Sequence, residues 1–282
     1  MLQIGCVKYL NARPLIHGWA DDVVLDHPRA LCARLAAGEL DVALVSSFEF
    51  LRNPIYKIAD DVAINSAGPV YSVFVAYRGE LSAIEEIELD PASETSINLL
   101  RCLLAERGLN PRLIRNTDFQ SVQPAKLHSI EAKRADKMSA DRTGKMPVFR
   151  PPPRRAQLLI GDQAIEFRQK QGADIQFWDL GEAWSEVIGL PFVFALWLVR
   201  PEVKDASGIA RQLRSIRDTN LTRIEEIAAG EKRFPKKFCE WYLRDCLRFN
   251  FGEREKSGLR KFGELCVKQK LLPQNPLNLD LV

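Results

Sequence analysis

Four times along the chain a short apolar run ends in a cluster of small hydroxyl, amide or glycine residues, and a helical pattern begins. The junctions are Tyr9-Leu10-Asn11-Ala12-Arg13-Pro14, Val45-Ser46-Ser47, Asp90-Pro91-Ala92-Ser93-Glu94-Thr95-Ser96 and Leu159-Ile160-Gly161-Asp162. Strand, turn and helix in that order are the unit of a parallel α/β sheet. In an open sheet of this kind the ligand crevice lies beyond the carboxyl ends of the strands. Helix N-termini there offer free N–H groups and the positive end of a dipole. The repeated junction predicts an α/β fold with a site for a small anion.

The rest of the composition narrows the class. With 282 residues, 46% of them hydrophobic, the chain can build one large or two medium domains. Met1 to Val7 runs straight into a strand-like stretch without a basic, apolar and small-residue leader, so a cytoplasmic location is expected. The longest apolar stretch, Val187 to Val199, is too short to span a bilayer and contains Gly189 and Pro191, so no membrane partner is expected. Cys6, Cys32, Cys102, Cys239, Cys246 and Cys266 show neither Cys-x-x-Cys nor zinc spacing with histidine. They read as small core residues in a reducing compartment, with no metal site. Neither a Walker loop nor Gly-x-Gly-x-x-Gly is present, so no cofactor is expected.

Residues 126 to 155 carry nine Lys/Arg against three Asp/Glu, which accounts for more than the whole net charge of +3. With Pro147, Pro151 to Pro153 and little apolar periodicity, the stretch from about 123 to 155 reads as a mobile basic insertion. It lacks interleaved aromatics, so nucleic acid is not an expected partner. Oligomeric state is not set by the sequence.

Strands are predicted at Ile4 to Val7, Val23 to Leu25, Val42 to Val45, Ile55 to Ile64, Val70 to Tyr77, Ile87 to Leu89, Leu113-Ile114, Gln157 to Ile160, Ile175 to Trp178 and Phe192 to Val199. Helices are predicted between most of them, and after residue 200 the pattern is almost wholly helical. Crossings near 75 to 88 and 195 to 202 divide the chain into lobe I, residues 1–85 plus 200–282, and lobe II, residues 86–199, with a cleft between.

Several residues could carry chemistry. Asn11 either donates to a substrate oxygen or caps the helix that Pro14 opens; Arg13 either pairs with a carboxylate or lies on the surface. Ser93, Thr95 and Ser96 form a cradle for a carboxylate at a helix N-terminus, or an N-cap with spare hydroxyls. Ser46-Ser47 carries the same ambiguity. Gly161 permits close backbone approach, whereas Asp162 repels an anion and is expected to cap the helix that follows. No Ser-His-Asp arrangement emerges from His17, His27 and His128.

In combination, Tyr9 to Pro14, Val42 to Arg52, Gly68-Pro69-Val70-Tyr71-Ser72-Val73, Leu89 to Ser96, Leu158 to Ala164 and Leu190 to Trp197 resemble the chorismate dehydratase family of the futalosine route to menaquinone. The resemblance spans most of residues 1 to 200; the helical tail carries less of it. It implies a two-lobed fold of the type II periplasmic-binding-protein kind and a cytoplasmic, cofactor-independent hydro-lyase acting on the dicarboxylate chorismate. By motif, Asn11 and Ser72 face the reacting ring and Thr95 with Ser96 hold a carboxylate; Ser47 and the backbone near Gly161 contribute. The basic insertion has no counterpart in the family pattern, and Ser46 stands where a proline is common. Two other classes fit the same outline. One is the sister enzyme forming 1,4-dihydroxy-6-naphthoate, whose relatives carry a histidine where this chain has Gly161, and the other is a non-catalytic anion-binding protein.

Overall fold

Which strand pairs with which decides where the ligand site can lie, and pairing is the part of the fold least visible in periodicity. A computed structural model describes residues 2–19, 22–115, 154–274 and 277–282. The predicted insertion falls almost wholly outside the described residues. Its last residue, Arg155, belongs to a strand and pairs with Glu86.

The first half of the chain supplies β1 (Ile4–Val7), α1 (Arg13–Ile16), β2 (Val23–Asp26), α2 (Pro28–Ala36), β3 (Val42–Ser46), α3 (Ser47–Arg52), β4 (Lys57–Ser66), β5 (Val73–Tyr77), β6 (Glu86–Leu89), α4 (Glu94–Glu106) and β7 (Arg112–Arg115). After the undescribed stretch come β8 (Arg155–Ile160), α5 (Gly161–Lys170), β9 (Gln176–Asp179), α6 (Leu180–Ile188) and β10 (Phe192–Val199). The remainder is helical: α7 (Ala206–Leu221), α8 (Ile224–Gly230), α9 (Lys236–Trp241), a π turn at Tyr242–Cys246, and α10 (Glu253–Lys268).

Local chemistry explains several of these boundaries. Pro14 and Pro28 sit in the first turns of α1 and α2, where a missing N–H costs nothing. The Ser93 hydroxyl caps α4 by accepting from the Ser96 N–H at 3.3 Å. Asp179 caps α6 by accepting from the N–H groups of Gly181 and Glu182.

Two five-stranded sheets result, in the orders β2-β1-β3-β10-β4 and β7-β6-β8-β5-β9. In the first, β1 runs parallel to β2 and β3, while β10 lies antiparallel between β3 and β4. In the second, β6 runs parallel to β7 and β8, while β5 lies antiparallel between β8 and β9. The sheets therefore share one topology, and each holds one antiparallel strand delivered by a crossover.

This pairing moves the crossings read from the sequence. Bounds at 85/86 and 199/200 put β5 with the first sheet and β10 with the second; the hydrogen bonds put β5 in the second and β10 in the first. The chain crosses at 67–72 and again at 189–191. Both strands are buried on each face, so either sheet would suit their composition and only pairing distinguishes them.

The crossovers are packed tightly. A side chain at Gly181, the second residue of α6, would come within 2.7 Å of the Gly68 carbonyl oxygen. Asp179 fixes the same crossover, accepting from the N–H groups of Val70 at 3.0 Å and Tyr71 at 2.7 Å. The C-terminal helices close over the first sheet, α7 against α1 and β4, and α10 against β10 and α4. All six cysteines are buried and unpaired. Among the described residues no helix is long and apolar enough to cross a membrane.

Candidate functional site

The four junctions meet. A cavity of about 50 Å³ between the lobes is lined by Tyr9 and Asn11 from the β1 junction, Ser46 from β3, Ser93 and Ser96 from β6, and Ile160 and Gly161 from β8. Ser72, the last residue of the first crossover, completes this polar wall, and Val7, Ile64, Val70 and Phe194 are among its apolar members. The shared topology accounts for the convergence, since β1 and β6, and β3 and β8, hold equivalent places in their sheets and face the cleft with the same ends.

Of the eight site residues expected from sequence, Asn11, Ser72, Ser93, Ser96 and Gly161 line this cavity. Thr95 and Ser47 sit behind its wall, both fully buried. The Thr95 hydroxyl accepts from the Phe48 N–H at 2.9 Å and shares a short hydrogen bond with the Ser46 hydroxyl, which in turn accepts from the Thr95 N–H at 3.1 Å. This reciprocal pair joins the N-terminus of α4 in one lobe to that of α3 in the other. Ser47 donates to the carbonyl of Val193 at 2.7 Å. Arg13 pairs with Glu231, 3.7 Å away, and does not line the cavity.

Asn11 and Ser72 differ in their surroundings. The Asn11 side-chain oxygen is buried and finds no hydrogen-bond partner among the described residues, which is costly unless a ligand supplies a donor. The Ser72 hydroxyl accepts a 2.7 Å hydrogen bond from the Tyr242 hydroxyl, and both residues are buried. The Ser72 carbonyl accepts from the Gly161 N–H at 2.8 Å, tying the crossover to the start of α5.

Backbone conformations around Ser72 are unusual. Tyr71 has φ 65° and Gly161 φ 64°, both left-handed. For a tyrosine this is strained, and such strain gathers at functional sites. Tyr71 is held by the Asp179 carboxylate on its N–H, by the Arg168 guanidinium 4.2 Å from its ring centroid, and by Phe238 and Trp241 at 5.4 and 5.1 Å.

The electrostatics are those of a neutral pocket with charges placed behind it. Asp162 does not cap its own helix, contrary to the expectation from sequence. Its carboxylate accepts from the Leu10 N–H at 2.8 Å across the cleft and pairs with Arg233 at 3.2 Å. Asp162 is the second residue of α5, past the N-cap position held by Ile160, and its side chain meets the Leu10 N–H instead. Burial pushes the Asp162 carboxyl up, opposed by the Leu10 hydrogen bond and Arg233. Asp90 lies beneath the Ser93 turn, accepting from the Ala92 N–H and the Gln163 amide, and burial raises its carboxyl to about 6. The Tyr9 hydroxyl shares a 3.1 Å hydrogen bond with His27 Nδ1, and burial followed by Lys8 lowers the imidazole pKa. Among the described residues no group of three or more His, Cys, Asp and Glu side chains could hold a metal ion.

The sequence reading did not assign Tyr9, His27, Tyr242 or Arg233. Tyr9 stood inside a motif already singled out. Tyr242 follows Phe238 and Trp241 in an aromatic-rich helix, and that clustering was the available signal.

A two-lobed α/β molecule whose strand ends face a cleft has the architecture of the periplasmic binding proteins, and solved structures agree. A protein from Archaeoglobus fulgidus superposes with a TM-score of 0.67 at 16% identity, covering 96% of this chain and 98% of its own. The periplasmic aliphatic sulphonate binding protein SsuA from Escherichia coli gives 0.57 at 12% identity, covering 99% and 94%. At such identities the likeness concerns fold alone. Sequence is more specific: the menaquinone biosynthesis family model matches residues 2–133 and 138–268, and the chain belongs to that family. It is 28% identical over 273 residues to the chorismate dehydratase of Thermus thermophilus, covering 93% of each chain.

Proposed function

We propose that this protein is a chorismate dehydratase, converting chorismate to 3-[(1-carboxyvinyl)oxy]benzoate and water without a cofactor, in the cytoplasm, as the first step of the futalosine route to menaquinone. The observation that carries the reading is the meeting of four strand-end junctions from two lobes at one cavity. There an unpartnered amide oxygen on Asn11 and the hydroxyl of Ser72 stand beside helix N-termini. The similarity to the Thermus thermophilus enzyme supplies the substrate class.

The chemistry asks little of such a site. A ring C–H bond breaks and its electron pair becomes a ring π bond. The ring C–O bond breaks in turn, and the departing hydroxide takes a proton to become water. Formation of an aromatic ring drives the process. The enolpyruvyl carboxylate of the substrate takes the ring proton, which ends on the leaving oxygen, so no protein base is consumed. Asn11 and Ser72 hold the ring in the reactive pose. The hydroxyls of Ser93 and Ser96 receive a carboxylate, favoured by the dipoles of α4 and α5, whose leading N–H groups at Thr95, Ser96 and Gly161 are already paired within the protein. Thr95 and Ser46 draw the lobes together around it.

A cavity that accepts benzene measures roughly 150 Å³; at about 50 Å³ the present one admits a substituted cyclohexadiene only after the lobes part. Purified protein incubated with chorismate and no added cofactor is expected to yield the aromatic enol ether, identified by mass and ultraviolet absorption. Binding without turnover would replace the enzyme reading with that of a receptor.

A further inference from the structure

Ser72 is held from three directions, and one of them comes from a part of the chain that the motifs do not cover. Its carbonyl is fixed by Gly161 and its preceding residue by Asp179 and Arg168. Its hydroxyl oxygen accepts from Tyr242, 170 residues away. Tyr242 opens the π turn at Tyr242–Cys246, where the ladder of α9 widens by one residue. Such turns recur at functional sites because they redirect a side chain without ending the helix. The Tyr242 ring stacks on Phe238 with centroids 5.9 Å apart and planes 7° from parallel, and Phe238 in turn packs on Tyr71. One aromatic cluster therefore holds both the residue before Ser72 and the hydroxyl that meets it.

The direction of the hydrogen bond matters. A serine hydroxyl has one proton and two lone pairs. Because Tyr242 donates, the Ser72 oxygen is an acceptor on that side, and its own proton must point elsewhere. Among the described residues its oxygen has no other hydrogen-bond partner, and the open direction is the cavity that Ser72 lines. Burial pushes the Tyr242 pKa far above the ordinary tyrosine value, so this hydroxyl stays protonated and remains a donor.

We propose that Tyr242 is a positioning residue that sets the Ser72 hydroxyl as a donor toward the leaving oxygen of the substrate. Donation into the serine oxygen polarises its O–H bond, and the two bonds strengthen each other in a water-poor site. The proton that completes water still comes from the substrate's own carboxylate, so Tyr242 and Ser72 begin and end the cycle neutral. This role rests on the chorismate dehydratase reading.

Tyr242→Phe keeps the stacked ring and removes only the donor. It is expected to lower kcat on the order of 3- to 10-fold, the worth of one neutral hydrogen bond, with KM within about twofold. In a Ser72→Ala background the same change should alter kcat by less than about twofold, since Tyr242 acts through that serine. Replacement of Tyr242 by 3-fluorotyrosine, which keeps both ring and hydroxyl, should retain turnover. Unchanged kcat in Tyr242→Phe would overturn the assignment, as would an equal loss in both backgrounds or a loss with the fluorinated residue as large as with Phe. Those results leave the dehydratase reading standing; a wild-type protein inert toward chorismate removes both.

Discussion

The Tyr9 ring of one lobe packs against Gly161 of the other, and adding a single methyl there tests whether that contact governs closure of the cleft. A Cβ at position 161 would lie 2.9 Å from Tyr9 Cζ and 3.0 Å from Cδ1 and Cδ2, well inside the roughly 3.5–4.0 Å optimum for carbon pairs. Gly161→Ala has two costs, and they fall on different states. The left-handed backbone, φ 64°, costs an alanine about 1–2 kcal/mol whether the lobes are together or apart. Overpacking against Tyr9 costs about 1–3 kcal/mol and exists only when they meet. The first lowers thermal stability; the second lowers affinity, by about 5- to 150-fold at 1.4 kcal/mol per tenfold. Calorimetric titration with the aromatic product, alongside small-angle scattering, separates the two. A second variant carrying Tyr9→Ala as well should regain most of the affinity while keeping the stability loss. A dissociation constant within twofold of wild type and unchanged scattering for Gly161→Ala would refute the reasoning.

Asn11→Ala should cut turnover at saturating chorismate by roughly 10²-fold, as expected when a reacting group loses its orientation; full turnover would remove Asn11 from the reaction. Thr95→Val leaves the buried Phe48 N–H unpaired and takes from Ser46 its hydroxyl partner, leaving it only the backbone N–H of residue 95, and should cost about 1–3 kcal/mol, measured by denaturant unfolding; a loss too small to detect would show that the bridge between α3 and α4 is dispensable. Asp90 has its carboxyl raised from 3.8 to about 6, so between those values the native protein holds a proton that the unfolded chain has released. Stability present at lower pH is therefore lost as pH rises through that window, by about 3 kcal/mol in all. Asp90→Asn should flatten this decline; identical slopes of melting temperature against pH, from about pH 4 to about pH 6.5, would count against it.

Much of this arrangement is legible in the sequence, for physical reasons that also mark where legibility stops. The strand-end junctions are local, because hydroxyls, amides and glycine accumulate where chain direction changes, so Asn11, Ser93, Ser96 and Gly161 could be found without coordinates. The bounds of Phe192–Val199 follow from its flanking Pro191 and its apolar run, and the structure gives the same strand. Its sheet does not follow, because a strand apolar on both faces suits any buried position. Asp162 illustrates the same limit. Cap and cross-cleft acceptor are both open to an aspartate at a helix start, and the choice depends on Leu10, 152 residues away. Tyr242 is harder still, since one extra residue in a helical turn leaves no periodic trace.

The return of β10 to the first sheet bears on biogenesis. During synthesis β3 and β4 emerge early, yet the strand that joins them lies more than a hundred residues downstream, so both present bare edges to solvent until residue 199 has left the ribosome. Exposed edges of that kind invite pairing with other chains, and long-range closure is slow. Truncation anywhere before β10 should consequently produce insoluble fragments instead of an isolated first lobe. The first sheet alone depends on a distant strand, whereas β5 to β9 follow one another along the chain, so any attempt to graft the first lobe elsewhere must carry β10 along.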